Sequence, residues 1–590
     1  MSIMKKLFYI SILSLLIFTS CVKLDLNPLS EASSGNWNST LKEVEMSVND
    51  LYKLAFWGSP TNELGTDDQV YRDNLTFNKI VNATITGETN DEPKVVDTWF
   101  TAYKAIGRAN YILSTISRAE NNLPQDLMKR FIAEVKFARA NQYAKLIFLY
   151  GDVVYYSEPI TLNEAYNKGR TSKAEIINHI YEDFDAAIEG LPKSYSSGEQ
   201  RATKGAAYAL KARTALYYAS VLKFDKNKPN LEEANKHFAI ARDAAKACMD
   251  LGIYSLYPDF EKLFVTVGKK QYQESIFVIP QSVNLNVFYT GDGLKGLMPR
   301  MVGGFAADEP TWELFCSFLA TDGKTIDKSP LYDPHNPFLN RDPRLAATIV
   351  EFGTEHLGYI YQPHPNAATT LEVATGKQLP NNDSKGGTNT ASSLFASFNG
   401  LLFKKGIDNA WLTLRIDPDR TVIRYADLLL IYAESKIELN EIDASVLEAL
   451  NTVRERAYKK GKYPIINSNS QNELRKILRI ERRMEFAREG LRYYDIIRWR
   501  IAEKSLNLPV YGLLDLKELR EKIVNKGLWF FPGTPSIDEN GTADFSNMYN
   551  AGLIKFLAQR KFDLNRQYLW PIPTKELLTN PKLQPQNTGY

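Results

Sequence analysis

Two segments of the chain mix aromatic rings with amide and charged side chains outside any clear helical period. Aromatic rings pack on the C–H faces of sugars, and polar groups bind the hydroxyls around those faces. The mixture therefore predicts a saccharide site built from loops. The first segment, 57–78, holds Trp57, Asp67, Asp68, Tyr71, Arg72, Asn74 and Phe77. The second, in an irregular middle region, holds Phe288, Tyr289, Phe305, Tyr359 and Tyr361.

Tyr71, Arg72 and Asn74, together with Tyr289, are predicted to form the polar and stacking core of this site. For each single ring, packing of its loop against the rest of the protein is at least as good an interpretation, because folded proteins bury many aromatic residues. The grouping of rings with polar side chains carries the prediction, rather than any one residue.

The adjacent carboxylates of Asp67 and Asp68 suggest a second chemistry, the acid and base of a glycoside hydrolase. Neighbours in sequence rarely face one sugar ring at the separation of roughly 5–10 Å that hydrolysis needs. A role in a polar loop is therefore favoured. The five histidines are scattered, and the glycines within 291–296 lack a following helix to hold a pyrophosphate. The sequence predicts no catalytic residue, metal or cofactor.

The N-terminus has the composition of a lipoprotein signal. Lys5 and Lys6 precede an apolar run over 7–19, and small residues stand directly before Cys21. This pattern predicts a signal peptide over 1–20, acylation of Cys21, and a polar tether over 21–39. An ordinary signal peptide and an uncut membrane anchor are the alternatives. No later apolar run is long enough to span a bilayer.

Composition fits a large globular body attached at one end. Of 590 residues, 44% are hydrophobic, which is enough for a large core. The net charge is +3, and removal of Lys5 and Lys6 with the signal leaves +1. Such a balance gives no reason to expect nucleic acid as a partner. Cys248 and Cys316 are predicted to be small buried hydrophobes rather than a disulfide.

Helical periodicity dominates the chain on both sides of the irregular middle region. Within 125–150, small and aromatic residues such as Ala133 and Phe137 recur on one helix face. Helices that carry such residues in neighbouring pairs are typical of tetratricopeptide-like stacking, although no strict repeat is present. We therefore predict a mostly α fold, with one domain over 40–590. Its parts are a helical half (40–253), a loop-rich insert (about 254–420) and a helical C-terminal part (421–590).

The segment 480–492 is dense in opposite charges three and four residues apart. This spacing places side chains on one helix face and predicts a structural ion-pair network, in preference to an anion site.

Several blocks together resemble the SusD/RagB family. They run in order through 133–140 (AEVKFARA), 424–434 (RYADLLLIYAE), 450–457 (LNTVRERA), 481–486 (ERRMEF), 489–499 (EGLRYYDIIRW) and 568–573 (YLWPIP). No single block is decisive, but their joint occurrence from one end of the chain to the other is specific.

The resemblance implies a mostly α, tetratricopeptide-like scaffold that supports an irregular ligand face. It also implies a non-catalytic outer-membrane lipoprotein, facing the cell exterior, that partners a SusC-like TonB-dependent transporter and captures oligosaccharides for import. A peptide-binding member of the same family is the main alternative. An all-helical glycoside hydrolase and a purely structural lipoprotein are the remaining ones.

Overall fold

The computed structural model describes residues 35–58, 63, 65–72, 78–90, 94–196, 199–266, 272–388, 395–459, 461–528 and 533–590. The predicted signal peptide, Cys21 and most of the predicted tether lie outside the described residues.

Helices form most of the regular structure. In chain order they are α1 (Leu41–Asp50), α2 (Leu54–Trp57), α3 (Val95–Thr115), α4 (Gln125–Tyr150), α5 (Leu162–Asn167), α6 (Lys173–Gly190), α7 (Lys204–Phe224), α8 (Leu231–Met249), α9 (Trp312–Ser317), α10 (Arg344–Thr348), α11 (Tyr425–Leu439), α12 (Ala444–Ala457), α13 (Gln471–Phe486), α14 (Arg492–Arg498), α15 (Ala502–Ser505), α16 (Leu516–Lys522), α17 (Ser546–Asn550) and α18 (Thr574–Thr579).

The strands are short, and most lie in the middle region. They are β1 (Gln69–Tyr71), β2 (Ser275–Ile279), β3 (Tyr289–Thr290), β4 (Asp308–Pro310), β5 (Thr354–His356), β6 (Tyr359–Tyr361), β7 (Thr369–Glu372), β8 (Lys377–Pro380), β9 (Arg415–Ile416), β10 (Arg420–Arg424), β11 (Pro509–Gly512), β12 (Ser536–Ile537), β13 (Ala543–Asp544) and β14 (Lys555–Gln559). All the pairs between these strands are antiparallel: β1 with β4, β2 with β10, β3 with β9, β11 with β14, β12 with β13, and the β5-β6-β7-β8 sheet.

The long helices pack on their neighbours in sequence, as the periodicity predicted: α3 on α4, α4 on α6, α7 on α8, and α11 on α12. Helix α4 begins after Pro124 and ends at Gly151, whose φ of 79° lies in the region that glycine favours. Alanines line the buried face of α7 and let α8 approach closely, because a methyl side chain keeps the two backbones near each other. The mostly α fold with a loop-rich middle is confirmed.

Two large groups of buried apolar residues hold this arrangement. The first extends from Val44 to Leu583 and joins the N-terminal helices to those of the C-terminal part. The second lies beneath the middle region and includes Trp312, Phe315 and Trp411. Cys248 and Cys316 are free and buried, as predicted, and burial raises the pKa of each thiol to about 12.

The charged segment predicted as an ion-pair network is buried rather than exposed. Arg483 lies 2.6 Å from Asp68, Arg482 lies 2.8 Å from Asp427, and Glu485 lies 2.6 Å from Arg424. Arg344 of α10 also reaches Glu481 at 2.7 Å. Because a buried charge is costly without its partner, these pairs tie the first segment, the middle region and α13 to fixed relative positions.

Two further observations concern membrane-spanning helices and clusters of metal ligands among the described residues. Within the residues that the structure describes, no helix is both long enough and apolar enough to cross a membrane. In the same part of the chain, no cluster of three or more His, Cys, Asp or Glu side chains is arranged to hold a metal ion.

Candidate functional site

The β1–β4 strand pair brings the two predicted binding segments together. Tyr71 stands opposite Asp308 in the antiparallel register. The backbone N–H of Arg72 then donates to the carbonyl of Ala307 at 2.7 Å, which extends the pairing by one residue. Residues 71 and 72 therefore lie beside the loop that carries Phe305.

Arg72 connects β1 to two neighbouring loops. Its Nη1 donates to the backbone carbonyl of Phe305 at 2.5 Å and to that of Phe395 at 2.6 Å. Its guanidinium carbon also lies 5.5 Å from the centre of the Phe395 ring, within cation–π range. One buried arginine thus fixes the backbone behind two phenylalanines and borders one of their rings.

The two phenylalanine rings face solvent while basic side chains lie against them. Phe305 is 37% exposed and Phe395 is 50% exposed. The Nζ of Lys295 lies 5.7 Å from the centre of the Phe305 ring, and the guanidinium carbon of Arg300 lies 5.7 Å from that of Phe395. We call this region the aromatic surface and define it by Tyr71, Arg72, Lys295, Arg300, Phe305 and Phe395.

A buried carboxylate holds the turn that carries Arg300. The backbone N–H groups of Arg300 and Met301 donate to Asp383 at 2.7 and 3.3 Å. Burial raises the pKa of Asp383 to about 6, although these N–H groups favour the charged form. Gly304 follows the turn at a position where a Cβ would lie 2.2 Å from the carbonyl oxygen of Met298. The turn therefore has little freedom to change shape.

A second buried carboxylate anchors the segment that follows Phe395. Glu309 accepts from the N–H of Phe398 at 2.9 Å and from that of Asn399 at 3.3 Å. Burial raises the pKa of Glu309 to about 7, against the effect of those N–H groups. Tyr361 donates its hydroxyl to the carbonyl of Gly400 at 2.9 Å and packs in the same small apolar cluster as Ala306. The backbone behind both exposed rings is therefore fixed.

Tyr289 lies in a separate cavity of about 240 Å³ beside the β3–β9 pair. We call it the strand cavity. Its walls include Tyr272, Tyr289, Trp411, Asp419, Arg420 and Arg488. The hydroxyl of Tyr289, and Nε and Nη2 of Arg488, are buried without a hydrogen-bond partner in the described part of the chain. Aromatic walls with unsatisfied polar groups are the chemistry of a site for a small polar molecule.

Several predicted site residues lie in the interior. Trp57 is 6% exposed and stacks on Phe137, with ring centres 5.6 Å apart. Asp67 is bound by Arg492 at 2.8 Å, and Asp68 is bound by Arg483. These arginines hold the pKa of Asp67 well below its usual range, against the effect of burial. Asp67 and Asp68 thus anchor the segment before β1 to the helices.

The remaining predicted residues fall into three groups. The hydroxyl of the half-buried Tyr359 donates to Glu372 at 2.9 Å, within the β5-β6-β7-β8 sheet. Tyr361, two residues later, is buried. Phe288 directly precedes β3, and its ring centre lies 4.6 Å from the guanidinium carbon of Arg415. Asn74 and Phe77 lie outside the described residues.

Sequence reasoning missed Phe395, Arg300, Lys295 and Trp411. Phe395 stands three residues before Phe398 in a Ser- and Gly-rich stretch, and Arg72, which holds it, is 323 residues away. Two aromatic residues in a loop without local helical or strand periodicity are the signal that was available.

Comparisons with known proteins agree on one family. The model described as "SusD family" matches residues 273–590, and the model described as "Starch-binding associating with outer membrane" matches residues 24–216. SusD-like protein P2 of Formosa agariphila is 26% identical over the full length of both chains. A SusD-like protein of Bacteroides ovatus is 22% identical over 83% of this chain and 81% of its own.

Solved structures share the fold. The crystal structure of a SusD-like carbohydrate-binding protein from Bacteroides fragilis superposes with a TM-score of 0.71 at 26% identity, covering 93% of this chain and 99% of that one. A laminarin-binding SusD-like protein superposes with a TM-score of 0.54 at 18% identity, covering 93% of this chain and 100% of its own. At that identity the second comparison shows the fold alone.

Proposed function

The chain belongs to the SusD family, and from this premise we propose that it is a non-catalytic binding protein that captures oligosaccharides and delivers them to a SusC-like TonB-dependent outer-membrane transporter. The aromatic surface is the observation that carries the proposal. It presents two exposed rings beside three basic side chains on a backbone that buried groups hold in place.

The chemistry of this surface suits a sugar chain. The exposed parts of the Phe305 and Phe395 rings can pack on the C–H faces of sugar rings. Lys295 and Arg300 are donors that can reach the hydroxyls at the edges of those rings. Because Arg72, Glu309 and Asp383 already fix the loops, little conformational entropy is lost on binding.

The residues that we propose for ligand contact are Tyr71, Phe305 and Phe395, with Tyr289 in the strand cavity as a second contact region. Arg72 is buried, and we propose that it positions the two phenylalanines. Asn74 and Phe77 remain predictions from the sequence. We leave four predicted residues out of the proposed contact set, because they are buried and two of them form ion pairs inside the protein: Trp57, Asp67, Asp68 and Tyr361. Tyr359 is also left out, because its hydroxyl is bonded to Glu372.

The proposed location is the outer membrane, with the chain held by an acyl group on Cys21 and facing the cell exterior. The sequence pattern before Cys21 supports the anchor. The description of the family model that matches residues 24–216 supports association with the outer membrane.

A binding screen tests the proposal. The chain starting after Cys21 is titrated calorimetrically with a panel of oligosaccharides and of peptides, because a peptide-binding member of the family is the main alternative. We expect measurable affinity for at least one oligosaccharide. In Phe395→Ala and Phe305→Ala we expect a loss of about 1–3 kcal/mol in binding free energy, the range for loss of a stacking ring.

Phe100 provides a matched control. It is 61% exposed on α3, and the Nζ of Lys104 lies 5.8 Å from its ring centre, so it has the same local chemistry without belonging to the aromatic surface. Phe100→Ala should bind as the unchanged chain does. Binding of peptides alone would contradict the proposed function. An equal loss of binding free energy in Phe395→Ala, Phe305→Ala and Phe100→Ala would contradict the proposed site.

A further inference from the structure

A second cavity, of about 160 Å³, lies among the scaffold helices. Helix α4 contributes Lys145 and Phe148 to its walls, α7 contributes Arg213 and Tyr217, and α14 contributes Tyr494. We call it the scaffold cavity. Its space equals about five water molecules at roughly 30 Å³ each, which is the size of one sugar ring or a comparable small molecule.

The charge on the walls has one sign. Five basic side chains line the scaffold cavity: Lys145, Lys173, Arg213, Arg420 and Arg500. No aspartate or glutamate belongs to its described lining. The strand cavity differs, because Asp417, Asp419 and Glu489 line it together with its basic residues. Positive side chains therefore border the scaffold cavity, and carboxylates outside its lining pair with two of them, Arg213 and Arg500.

Three of these cations form no salt bridge within the part of the chain that the structure describes: Lys145, Lys173 and Arg420. The Nζ of Lys145 donates to two neutral oxygens, the carbonyl of Phe56 at 2.8 Å and Oε1 of Gln142 at 3.1 Å. The guanidinium of Arg420 makes no side-chain hydrogen bond or ion pair there, and its Nε is buried. Burial lowers the pKa of Arg420, and the charge of Glu489, which lines the strand cavity, raises it. Arg213, in contrast, is bound to Asp427 at 2.6 Å.

Lys145 and Arg420 line the same space, and neither forms a salt bridge within the described residues. Burial and the charge of Arg420 lower the pKa of Lys145 to about 8. The hydroxyl of Tyr217, on the same walls, is buried and has no hydrogen-bond partner among the described residues. Cations without a salt bridge and a hydroxyl without a hydrogen bond, around one space, favour the binding of an anionic group there.

Apolar and aromatic surfaces complete the walls. Trp57, Phe148 and Tyr494 line the same space. A bare inorganic anion would leave these faces without contact, whereas a carboxylate on a small ring would use both parts of the cavity.

We propose that the scaffold cavity binds a small organic carboxylate of single-ring size, with the carboxylate between Lys145 and Arg420 and the ring against Trp57 and Phe148. The site is separate from the aromatic surface, and the proposal does not depend on the proposed saccharide capture. The carboxylate can belong to an acidic sugar or to a non-sugar aromatic acid.

Thermal unfolding of the chain starting after Cys21 tests the inference, with sodium glucuronate, sodium benzoate, sodium sulfate and neutral glucose as probes. A ligand that binds the folded state raises the unfolding temperature with concentration. We expect a saturable rise with glucuronate or benzoate, which also identifies the source of the carboxylate. A rise with glucose alone, with sulfate alone, or with none of the four would overturn it.

Variants locate the effect. Lys145→Gln should weaken carboxylate binding by about tenfold or more, as expected for loss of a charged hydrogen bond. It should also leave the ligand-free chain as stable or more stable, because it removes the repulsion with Arg420. Tyr217→Phe should weaken binding severalfold and provides a milder test if Lys145→Gln folds poorly. Lys129→Gln, exposed on the same helix, is the control. Undiminished binding in both cavity variants would refute the placement.

Discussion

Arg72 donates from Nη1 to the backbone carbonyl of Phe305 across 2.5 Å, although 233 residues separate the two in sequence. The contact makes the position of an exposed ring depend on a buried charge. The same nitrogen holds the carbonyl of Phe395, so the spacing of the two rings is set by one side chain.

Replacement of Arg72 should therefore affect stability and binding together. In Arg72→Met two charge-assisted bonds to backbone carbonyls are lost, and we expect the free energy of unfolding in urea to fall by about 1–3 kcal/mol. Saccharide affinity should fall as well, because both rings lose their support. Arg72→Lys keeps the charge but lacks the planar fork, and it should give an intermediate result. If Arg72→Met binds and unfolds as the unchanged chain does, this arginine does not organise the surface.

Glu309 should make stability depend on pH in an unusual direction for a carboxylate. Its pKa in the folded chain is raised to about 7 by burial, above that of the unfolded chain. Its stabilising contribution is therefore complete below the unfolded pKa and is lost as pH rises from about 4.5 to about 7, by about 3 kcal/mol.

Urea unfolding of Glu309→Gln across that range should show a smaller decrease with pH than the unchanged chain. Asp383, whose pKa is raised to about 6 for the same reason, should add to the decrease, so Asp383→Asn in the same chain should flatten it further. A slope that neither substitution changes would show that these two groups ionise normally.

Glu485 tests the buried ion-pair network. It contacts Arg344 at 3.0 Å, Arg424 at 2.6 Å, and also Arg456. These arginines hold its pKa well below the usual range against the effect of burial. Glu485→Gln leaves three buried arginines short of charge and should cost about 3–5 kcal/mol of unfolding free energy. Glu448→Gln, exposed on α12, should stay within about 0.5 kcal/mol of the unchanged chain. A small effect at Glu485 would mean that water or rearrangement compensates the arginines.

Local patterns in the sequence were enough for the helices but not for the site. Helix α4 was predicted within 125–150 from its long periodicity, and the structure places Pro124 directly before it and Gly151 directly after it. The charge spacing in 480–492 predicted ion pairs, but the partner of each charged residue lies outside this segment. Arg483 and Asp68, for example, are 415 residues apart. Partners at such separation leave no periodic signal.

The aromatic residues that were predicted to form one site lie in different environments, for a similar reason. Trp57 and Phe305 look alike in the sequence, since each is an aromatic residue near Gly and polar neighbours. The structure stacks Trp57 on Phe137 and leaves Phe305 at the surface. Tertiary packing decides which ring is buried, and single-sequence composition carries no information about it.

Cys21 remains a prediction from the sequence, and cell fractionation tests it. In cells that lack the transporter partner, Cys21→Ala should move the chain from the membrane fraction to the soluble fraction, because stable anchoring needs the acyl chains. Substitution of Ser20, which precedes the cleavage position, with a bulky residue such as Trp should impair processing. Tight membrane association of Cys21→Ala would show that another feature holds the chain there.

Tyr289 and Tyr361 allow a direct comparison between a residue proposed to bind ligand and a residue that stabilises the fold. Both are tyrosines of the irregular middle region. The hydroxyl of Tyr289 is buried without a protein partner in the described part of the chain, whereas that of Tyr361 donates to Gly400 at 2.9 Å. Tyr289→Phe should therefore leave the unfolding temperature unchanged or slightly higher.

If the strand cavity binds part of the ligand, the same Tyr289→Phe chain should lose about 1 kcal/mol of saccharide binding free energy, the value of one hydrogen bond. Tyr361→Phe should show the reverse: an unfolding free energy lower by about 1 kcal/mol, with affinity kept as long as the Phe305 loop stays in place. Calorimetric titration and urea unfolding of both variants measure the four values. Full saccharide affinity in Tyr289→Phe would remove the strand cavity's hydroxyl from the binding site and leave the aromatic surface as the proposed region of contact.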